Sequence, residues 1–226
     1  MSAPMSASSH AVAEQLNHSF ETSVRTDTPY PHWLLSNCLP PDTATEVIAL
    51  PFEAPPLEGI SGKRELHNKT RTYFDTANQV QFPSVKAVSE ALQDRRTTGM
   101  IEKRFGITLG GSYLRIEYAM DVDGFWLEPH TDLGVKLFTM LLYLSTDPQH
   151  AELGTDIYDA DKKHLGRSPF VSNSALVFIP GKVTYHGFEQ RPIKGVRKSI
   201  IVNYVTNEWK AREQLAYPNS PIVSAV

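Results

Sequence analysis

Three side chains with the chemistry of metal ligands lie in the second half of the chain. His130 and Asp132 are two residues apart, and on a β-strand that spacing directs both side chains to one face. His186 follows a buried-looking strand and a turn, which makes it the best candidate for a third ligand. Two imidazoles and one carboxylate leave positions open on a metal. Taken alone, the pair of His130 and Asp132 is weak evidence for a metal site, because such pairs arise by chance and single histidines are often structural.

A second group of candidate functional residues lies on an apolar segment, 195–204. Strand alternation places Arg197, Ser199, Ile201 and Asn203 on one face of that segment. An arginine and a serine on the inner face of a strand are costly to bury unless they meet a partner. The carboxylate of a bound ligand would be such a partner, because the guanidinium can donate two parallel hydrogen bonds to it. An internal salt bridge is the alternative.

The elements that must position these residues divide into helices first and strands afterwards. Apolar spacing and helix-start residues predict helices over 41–50 and 83–105, with a Pro- and Gly-rich loop at 51–63 between them. A polar C-terminal helix without a functional role is predicted over 206–215. β-Branched and aromatic residues separated by turn signals predict strands over 113–120, 136–145, 174–179 and 196–205.

This order predicts an α+β chain, mainly β, in which helices pack beside an antiparallel barrel or sandwich. Residues 1–28 are polar without clear periodicity, so we expect a flexible N-terminal segment. Residues 29–226 are expected to form a single domain, which suits a chain of 226 residues.

Composition excludes several classes of function. A formal net charge of -3 provides no basic excess for a phosphate backbone, so we expect no nucleic-acid partner. No apolar stretch is long enough to cross a bilayer, and residues 1–9 lack the features of a signal peptide, so we expect no membrane association and a cytoplasmic location. The single cysteine, Cys38, is interpreted as a buried structural thiol rather than a nucleophile.

The order and spacing of these residues resemble a known family. His130-x-Asp132, then His186, then Arg197-x-Ser199 is similar to the signature of the Fe(II)/2-oxoglutarate-dependent dioxygenases, in particular the prolyl-4-hydroxylase-like branch. The resemblance runs from about 113 to 205. It includes three further segments that look like strands of that branch, 141–145, 152–158 and 175–180, although the second has one glycine where two are more usual.

The resemblance implies a fold and a set of roles. The fold would be a double-stranded β-helix, or jelly roll, at about 110–206, with helices on one side. The Fe(II) ligands would be His130, Asp132 and His186. Because Asp132 supplies a carboxylate ligand, the resemblance does not extend to the halogenase variants of the family. The co-substrate 2-oxoglutarate would be decarboxylated with O2 to succinate and CO2, and ascorbate is an expected additive in vitro. Contacts to 2-oxoglutarate are expected from Arg197, Ser199, Tyr143 and Tyr118, and for Tyr118 core packing is the alternative.

Substrate contacts are harder to assign. The segment 68–74 interleaves polar and aromatic residues before the long helix, and a solvated loop is the alternative interpretation. Trp126 stands just before the metal pair and could equally fill the core, while Lys136 could face the cavity or solvent. The candidate substrate residues are Asn68, Arg71, Tyr73, Trp126 and Lys136.

Three functions remain open at this point. A small-molecule hydroxylase suits the size of the chain, and a protein or peptide hydroxylase is suggested by the prolyl-hydroxylase-like pattern. A non-enzymatic barrel that binds metal or ligand is the third. Arg197 and Ser199 argue against the third, because a simple metal site does not need them.

Overall fold

The structure is a computed structural model that describes residues 5–57, 62 and 71–224. Five α-helices lie in the first half of the described chain. They are α1 (Ala7–Glu21), α2 (Pro41–Ile48), α3 (Thr76–Gln81), α4 (Pro83–Gln93) and α5 (Arg95–Phe105). No helix among the described residues is both long and apolar enough to cross a membrane.

Eleven strands in the described residues form two antiparallel sheets. The larger sheet has seven strands in the order β1-β2-β9-β6-β11-β4-β3, and the smaller has four in the order β5-β10-β7-β8. The larger sheet contains β1 (Val24–Thr26), β2 (His32–Leu35), β3 (Thr72–Tyr73), β4 (Tyr113–Asp121), β6 (Lys136–Tyr143), β9 (Ser174–Phe178) and β11 (Arg197–Val205). The smaller contains β5 (Leu127–His130), β7 (Asp156–Tyr158), β8 (His164–Arg167) and β10 (His186–Phe188).

Two apolar cores arise because side chains along each strand of the larger sheet point alternately to its two faces. On β4 and β11, side chains such as Ile116 and Val202 point to the helices and join their core. Ala119 and Ile201 point the other way and pack with Leu127 and other residues of the smaller sheet. The larger sheet is therefore covered by helices on one face and by the smaller sheet on the other. This confirms the mixed, mainly antiparallel architecture predicted from the sequence.

The long strands agree closely with their predicted ranges, whereas the helices differ from the prediction in several places. The helix predicted over 83–105 is two helices, because Asp94 has extended backbone angles of φ -61° and ψ 139°. The Asp94 carboxylate accepts a hydrogen bond of 3.1 Å from the Arg96 amide and so caps α5. Gly106, with φ 69°, ends α5 in the left-handed conformation that favours glycine.

The prediction of a flexible segment over 1–28 is wrong for most of that range. Helix α1 begins after Ser6, whose hydroxyl accepts a hydrogen bond of 3.1 Å from the Ser9 amide. Val12, Leu16 and Phe20 are each at most 1% exposed and join the core shared by the helices and the larger sheet. Their four-residue spacing was present in the sequence, but the polar residues between them obscured it.

The prediction of a helix over 206–215 is also wrong. Within that range the structure has only a short 3₁₀ turn, Arg212–Gln214, and the rest is irregular chain. The interpretation of Cys38 is confirmed, since the thiol is buried. Burial raises the pKa of Cys38 to about 12, although a hydrogen bond with Ser19 opposes the shift, so the thiol stays protonated at neutral pH.

Because α1 is part of the core, we expect Leu16→Ala to destabilise the protein. Leu16 is 1% exposed, and truncation of such a leucine costs about 2–5 kcal/mol in the free energy of unfolding. Glu14→Ala, at an exposed position of the same helix, is the matched control and should leave the denaturation midpoint almost unchanged. Equal midpoints for the two variants in a urea titration would show that α1 does not stabilise the fold.

Candidate metal centre and adjoining cavities

The three predicted metal ligands converge where β5 meets β10. His130 and His186 are directly paired across these strands, and their ring centroids are 4.4 Å apart. Asp132 completes the group, with one potential ligand atom from each residue lying within 4.8 Å of the others. Strand β5 ends at His130, so Asp132 reaches the site from the connection to β6 and not, as predicted, from a shared strand face.

A glycine allows the two histidine strands to approach each other. Gly187 follows His186 on β10, and a Cβ atom added there would lie 2.9 Å from the carbonyl oxygen of Leu127 and 3.1 Å from that of Glu128. Any larger residue would therefore push β10 away from β5. The close packing of the two imidazoles depends on this position.

Hydrogen bonds orient both imidazoles in the same way. His130 Nδ1 lies 2.8 Å from the carbonyl oxygen of Glu128, and His186 Nδ1 lies 3.1 Å from that of Thr184. A carbonyl can only accept, so each Nδ1 carries a proton, and in the neutral imidazole Nε2 is then the atom with the lone pair that a metal needs. Burial lowers the pKa of His186 to about 3, against the attraction of Asp132, so this imidazole is neutral near pH 7.

The Asp132 carboxylate has a hydrogen-bond donor on each oxygen. Lys136 Nζ donates to Oδ1 at 2.5 Å, and the Thr139 hydroxyl donates to Oδ2 at 2.6 Å. Burial by itself would raise the pKa of Asp132, but Lys136, His186 and the two hydrogen bonds outweigh it and hold the pKa well below its usual range. The site thus presents two imidazoles and an ionised carboxylate.

Beside His186 a small cavity extends between the two sheets. Its polar lining includes Asp121, Arg197, Ser199, Tyr143 and Thr155. Its apolar lining includes Phe125, Leu127, Leu141, Phe188 and Ile201. The cavity has a volume of about 30 Å³, so it is narrow.

Arg197 is buried and anchored on one side only. Its Nη1 donates to the Asp121 carboxylate at 2.5 Å, and its Nε donates to the carbonyl oxygen of Leu153 at 2.7 Å. Within the described part of the chain, Nη2 makes no hydrogen bond, and its two N–H groups remain for a ligand in the cavity. The salt bridge considered in the sequence analysis is therefore present, and it leaves part of the guanidinium available.

Two of the residues predicted to contact 2-oxoglutarate differ in their placement. Tyr143 is the cross-strand partner of Ser199 and lines the cavity, where its hydroxyl lies 2.6 Å from that of Ser168. Tyr118 points to the opposite face of the sheet, and its hydroxyl donates to the carbonyl oxygen of Val47 at 2.9 Å. The prediction for Tyr118 is wrong, because strand alternation turns it into the core beneath the helices.

On the other side of the metal ligands lies a larger cleft of about 160 Å³. His130, Asp132 and Lys136 form one wall, and Arg71, Arg115 and Trp209 contribute to the others. We call this region the cleft. Its complete lining is Arg71, Arg115, His130, Thr131, Asp132, Leu133, Lys136, Ile201, Trp209, Ala211 and Gln214. The irregular segment that was predicted as an inert helix therefore borders the site.

The four predicted substrate residues that the structure describes fall into three groups. Arg71 and Lys136 line the cleft, although Lys136 is also the ion-pair partner of Asp132. Tyr73 lies behind the cleft, where its hydroxyl accepts a hydrogen bond of 3.2 Å from Arg115. Trp126 is half-buried and packs against Gly62 instead. A Cβ atom added to Gly62 would lie only 2.7 Å from the indole ring. Asn68 lies outside the described residues.

Several residues of the site were missed from the sequence. Arg115 and Glu117 are two apart on β4, are each 2% exposed, and form an ion pair of 2.8 Å. Thr139 and Asn203 connect this pair to Asp132. The signal was available for Arg115, Glu117 and Asn203, because charged or amide side chains alternate with apolar ones in otherwise apolar strands. Trp209 gave no such signal.

Comparison with known proteins adds evidence on the fold. No protein-family model matches the sequence, and no curated protein matches it either. Among solved structures, a prolyl-4-hydroxylase from Pseudomonas putida matches with a TM-score of 0.55 and 15% identity, covering 92% of this chain and 97% of that one. A 2OG-Fe(II) oxygenase family oxidoreductase from Burkholderia pseudomallei matches with a TM-score of 0.54 and 14% identity, covering 91% and 93%.

A third similar structure is a prolyl hydroxylase from Trichoplax adhaerens in complex with a peptide fragment of the hypoxia inducible factor oxygen degradation domain. It has a TM-score of 0.54 and 17% identity, and the match covers 88% of this chain and 90% of that chain. At these identities the comparisons establish a shared fold over nearly the whole length of each chain.

The geometry predicts that His130→Ala, Asp132→Ala and His186→Ala each remove most of the affinity for Fe(II). Each change deletes one of three converging ligands. Anaerobic titration with Fe(II) measures the effect, and circular dichroism checks that the variants remain folded. His18→Ala is the matched control, because His18 is exposed on α1, belongs to no group of potential ligands among the described residues and should leave iron binding unchanged. A ligand variant with wild-type iron affinity would remove that residue from the site.

Proposed function

We propose that the protein is an Fe(II)- and 2-oxoglutarate-dependent dioxygenase that hydroxylates a small-molecule metabolite. The observation that carries this proposal is the position of the His130, Asp132 and His186 cluster between two recesses of different character. One recess is the cavity, where Nη2 of the buried Arg197 makes no hydrogen bond within the described part of the chain. The other recess is the polar cleft. We also assign the two facing sheets to the double-stranded β-helix fold.

The ligand set fits ferrous iron. Two imidazoles and one carboxylate form the facial arrangement used by non-haem Fe(II) oxygenases, which keeps the remaining positions for co-substrate and O2. Thiolates, which would favour other metals, are absent from the described site, because Cys38 lies in the core beneath the helices. When bound, iron would supply the activation of O2 that is coupled to conversion of 2-oxoglutarate into succinate and CO2.

The cavity beside His186 fits the chemistry of 2-oxoglutarate. Arg197 Nη2 would pair with the carboxylate farther from the metal, and the Ser199 hydroxyl would add a hydrogen bond. Phe125 and Phe188 would exclude water from the co-substrate. A volume of about 30 Å³ is too small for a five-carbon dicarboxylate, so binding requires the lining side chains to move.

The cleft beside His130 is the proposed substrate site. It opens onto the face of the cluster that bears His130 and Asp132, so a substrate carbon placed there would lie next to the metal. Its volume of about 160 Å³ suits a small polar molecule, and Arg71 and Trp209 offer a cation and an aromatic surface for orientation.

A peptide or protein hydroxylase is the second candidate. The observation that favours it is the fold similarity to the Trichoplax adhaerens enzyme, which was solved with a peptide fragment bound. A peptide would need the cleft to continue as an open groove. A screen for product formation that includes both metabolites and proline-containing peptides distinguishes the two candidates.

Turnover of 2-oxoglutarate tests the proposed function directly. With Fe(II), O2 and ascorbate, the wild-type protein should convert 2-oxoglutarate to succinate. Arg197→Ala should raise the KM for 2-oxoglutarate by about 100-fold or more, because removing one partner of a buried charge pair costs about 3–5 kcal/mol. Arg197→Lys should recover only part of this, because an ammonium group cannot reproduce the guanidinium fork.

Arg104→Ala is the matched control for Arg197→Ala. Arg104 is half-buried and donates to the carbonyl oxygens of Phe20 at 3.1 Å and Ser23 at 2.7 Å, but it lies on α5 and lines neither the cavity nor the cleft. It should lower stability without changing the KM for 2-oxoglutarate. Absence of succinate from an iron-loaded wild-type protein would contradict the proposed function and favour a binding protein. An unchanged KM in Arg197→Ala would place the 2-oxoglutarate carboxylate elsewhere.

The cleft generates a separate prediction about the substrate. Arg71→Ala should reduce hydroxylation of the substrate found by the screen while leaving the affinities for Fe(II) and 2-oxoglutarate unchanged, because Arg71 lines the cleft and not the cavity. Succinate formation without substrate should persist. Arg25→Ala, at an exposed arginine paired with Asp27, is the control. Equal product yields from wild type and Arg71→Ala would exclude Arg71 from substrate recognition.

A further inference from the structure

A continuous chain of buried hydrogen bonds leads from Arg115 to the metal ligand Asp132. Arg115 Nη1 donates to Asn203 Oδ1 at 3.2 Å, and Asn203 Nδ2 donates to the Thr139 hydroxyl at 2.9 Å. That hydroxyl donates to Asp132 Oδ2 at 2.6 Å. Arg115, Asn203 and Thr139 are 2%, 0% and 1% exposed, so water does not compete for these bonds. We call the chain from Arg115 through Asn203 and Thr139 to Asp132 the relay.

The register of the larger sheet aligns the relay. Arg115 on β4 is the direct cross-strand partner of Asn203 on β11, and Asn203 is the direct partner of Thr139 on β6. The three side chains therefore lie side by side on the inner face of the sheet. A shift of one residue in either pairing would turn one of them to the opposite face and break the chain.

The direction of every bond in the relay is determined. The guanidinium of Arg115 can only donate, so the oxygen of the Asn203 amide faces it and the nitrogen faces Thr139. Because the Thr139 oxygen accepts from Asn203, its single proton is directed to Asp132. Each link thus points a donor toward the carboxylate, and successive bonds polarise one another in the same sense.

Arg115 is a firm starting point for the relay. Its Nε donates to Gln214 Oε1 at 3.1 Å, and its Nη2 donates to Glu117 Oε2 at 2.8 Å. The guanidinium also lies over two aromatic rings, 4.9 Å from the centroid of Tyr73 and 5.0 Å from that of Trp209. Contacts from four side chains in addition to Asn203 hold it in one position.

We propose that Thr139 and Asn203 are positioning residues for the metal centre, which act by fixing the orientation of the Asp132 carboxylate. Thr139 holds one carboxylate oxygen, and Asn203 ensures that the Thr139 hydroxyl acts as a donor. Without these contacts only Lys136, among the described residues, would hold the carboxylate, which could rotate more freely and would have to lose that freedom when it binds a metal. The inference rests on the metal centre proposed above.

A purely structural role is the competing explanation. Buried hydrogen bonds contribute only about 0.5–1.5 kcal/mol each to stability, so apolar residues of similar shape could fill these positions. A structural role predicts that changes to Thr139 or Asn203 alter only the stability of the fold. A positioning role predicts that they also alter the affinity and geometry of the metal site.

Titration of the protein with Co(II) alone separates the two explanations. Cobalt is a probe with a visible absorption spectrum that reports ligand geometry, and it requires neither 2-oxoglutarate nor turnover. We expect Thr139→Val, which keeps the shape and removes the hydroxyl, to weaken Co(II) binding by about 10- to 100-fold, as is usual for loss of a group that orients a ligand. The spectrum should change as well, and Thr139→Ser should restore both.

Asn203→Leu extends the test to the second residue. It should weaken Co(II) binding less than Thr139→Val, because the hydroxyl remains but is no longer directed. The double variant should bind no more weakly than Thr139→Val alone, since Asn203 acts only through Thr139. Additive losses would show independent effects and contradict the relay. If Thr139→Val does not fold, Asn203→Leu decides the question alone. An Asn203→Leu variant with the wild-type Co(II) affinity and spectrum would overturn the proposal.

Two controls complete the experiment. Thr98→Val makes the same change at a buried threonine in α5, whose hydroxyl bonds to the carbonyl oxygens of Asp94 and Arg95, and it should leave the Co(II) affinity and spectrum unchanged. His130→Ala should lose tight binding. If it does and Thr139→Val binds as wild type, the relay is overturned while the metal centre stands. If His130→Ala binds Co(II) as wild type, the metal centre is overturned and the relay with it.

Discussion

The candidate site depends on keeping one buried carboxylate ionised. Asp132 is largely withdrawn from water, and an isolated charge in such a place would be strongly disfavoured. A donor on each oxygen and the adjacent Lys136 cation offset this cost and lower its pKa. The neighbouring His186 is held neutral by burial. A metal dication would therefore meet Asp132 and His186 already in the protonation states that binding needs.

The larger sheet supplies most of what surrounds that carboxylate. Three long strands, β4, β11 and β6, lie side by side, and their inner faces carry polar residues that line the cavity at one end and the relay at the other. Ile201 lies between these two groups and contributes to both the cavity and the cleft. A single register thus sets the two recesses on opposite sides of the metal ligands, so that the proposed sites of co-substrate and substrate do not overlap.

Much of this arrangement could be predicted from the sequence, and the failures have physical reasons. The four long strands were predicted well because each buries an alternating face, whereas β5, β7 and β10 have only three or four residues and give little periodic signal. Tyr118 was misassigned because its face is set by pairing with Ile200, a contact distant in the chain. Asn203 was placed on the inner face, but its partners Arg115 and Thr139 depend on the register of three strands. Helix α1 was missed because its apolar stripe is narrow.

The central claim is that one metal ion and one 2-oxoglutarate bind at adjoining positions. Anaerobic calorimetry of the wild-type protein tests it most directly, with 2-oxoglutarate titrated into the metal-free protein and then into the protein loaded with Fe(II). The account predicts one 2-oxoglutarate per chain in the loaded protein and binding weaker by at least about tenfold without the metal, since chelation adds to the contact with Arg197. Equal affinity in the two titrations, or no binding to the loaded protein, would contradict it.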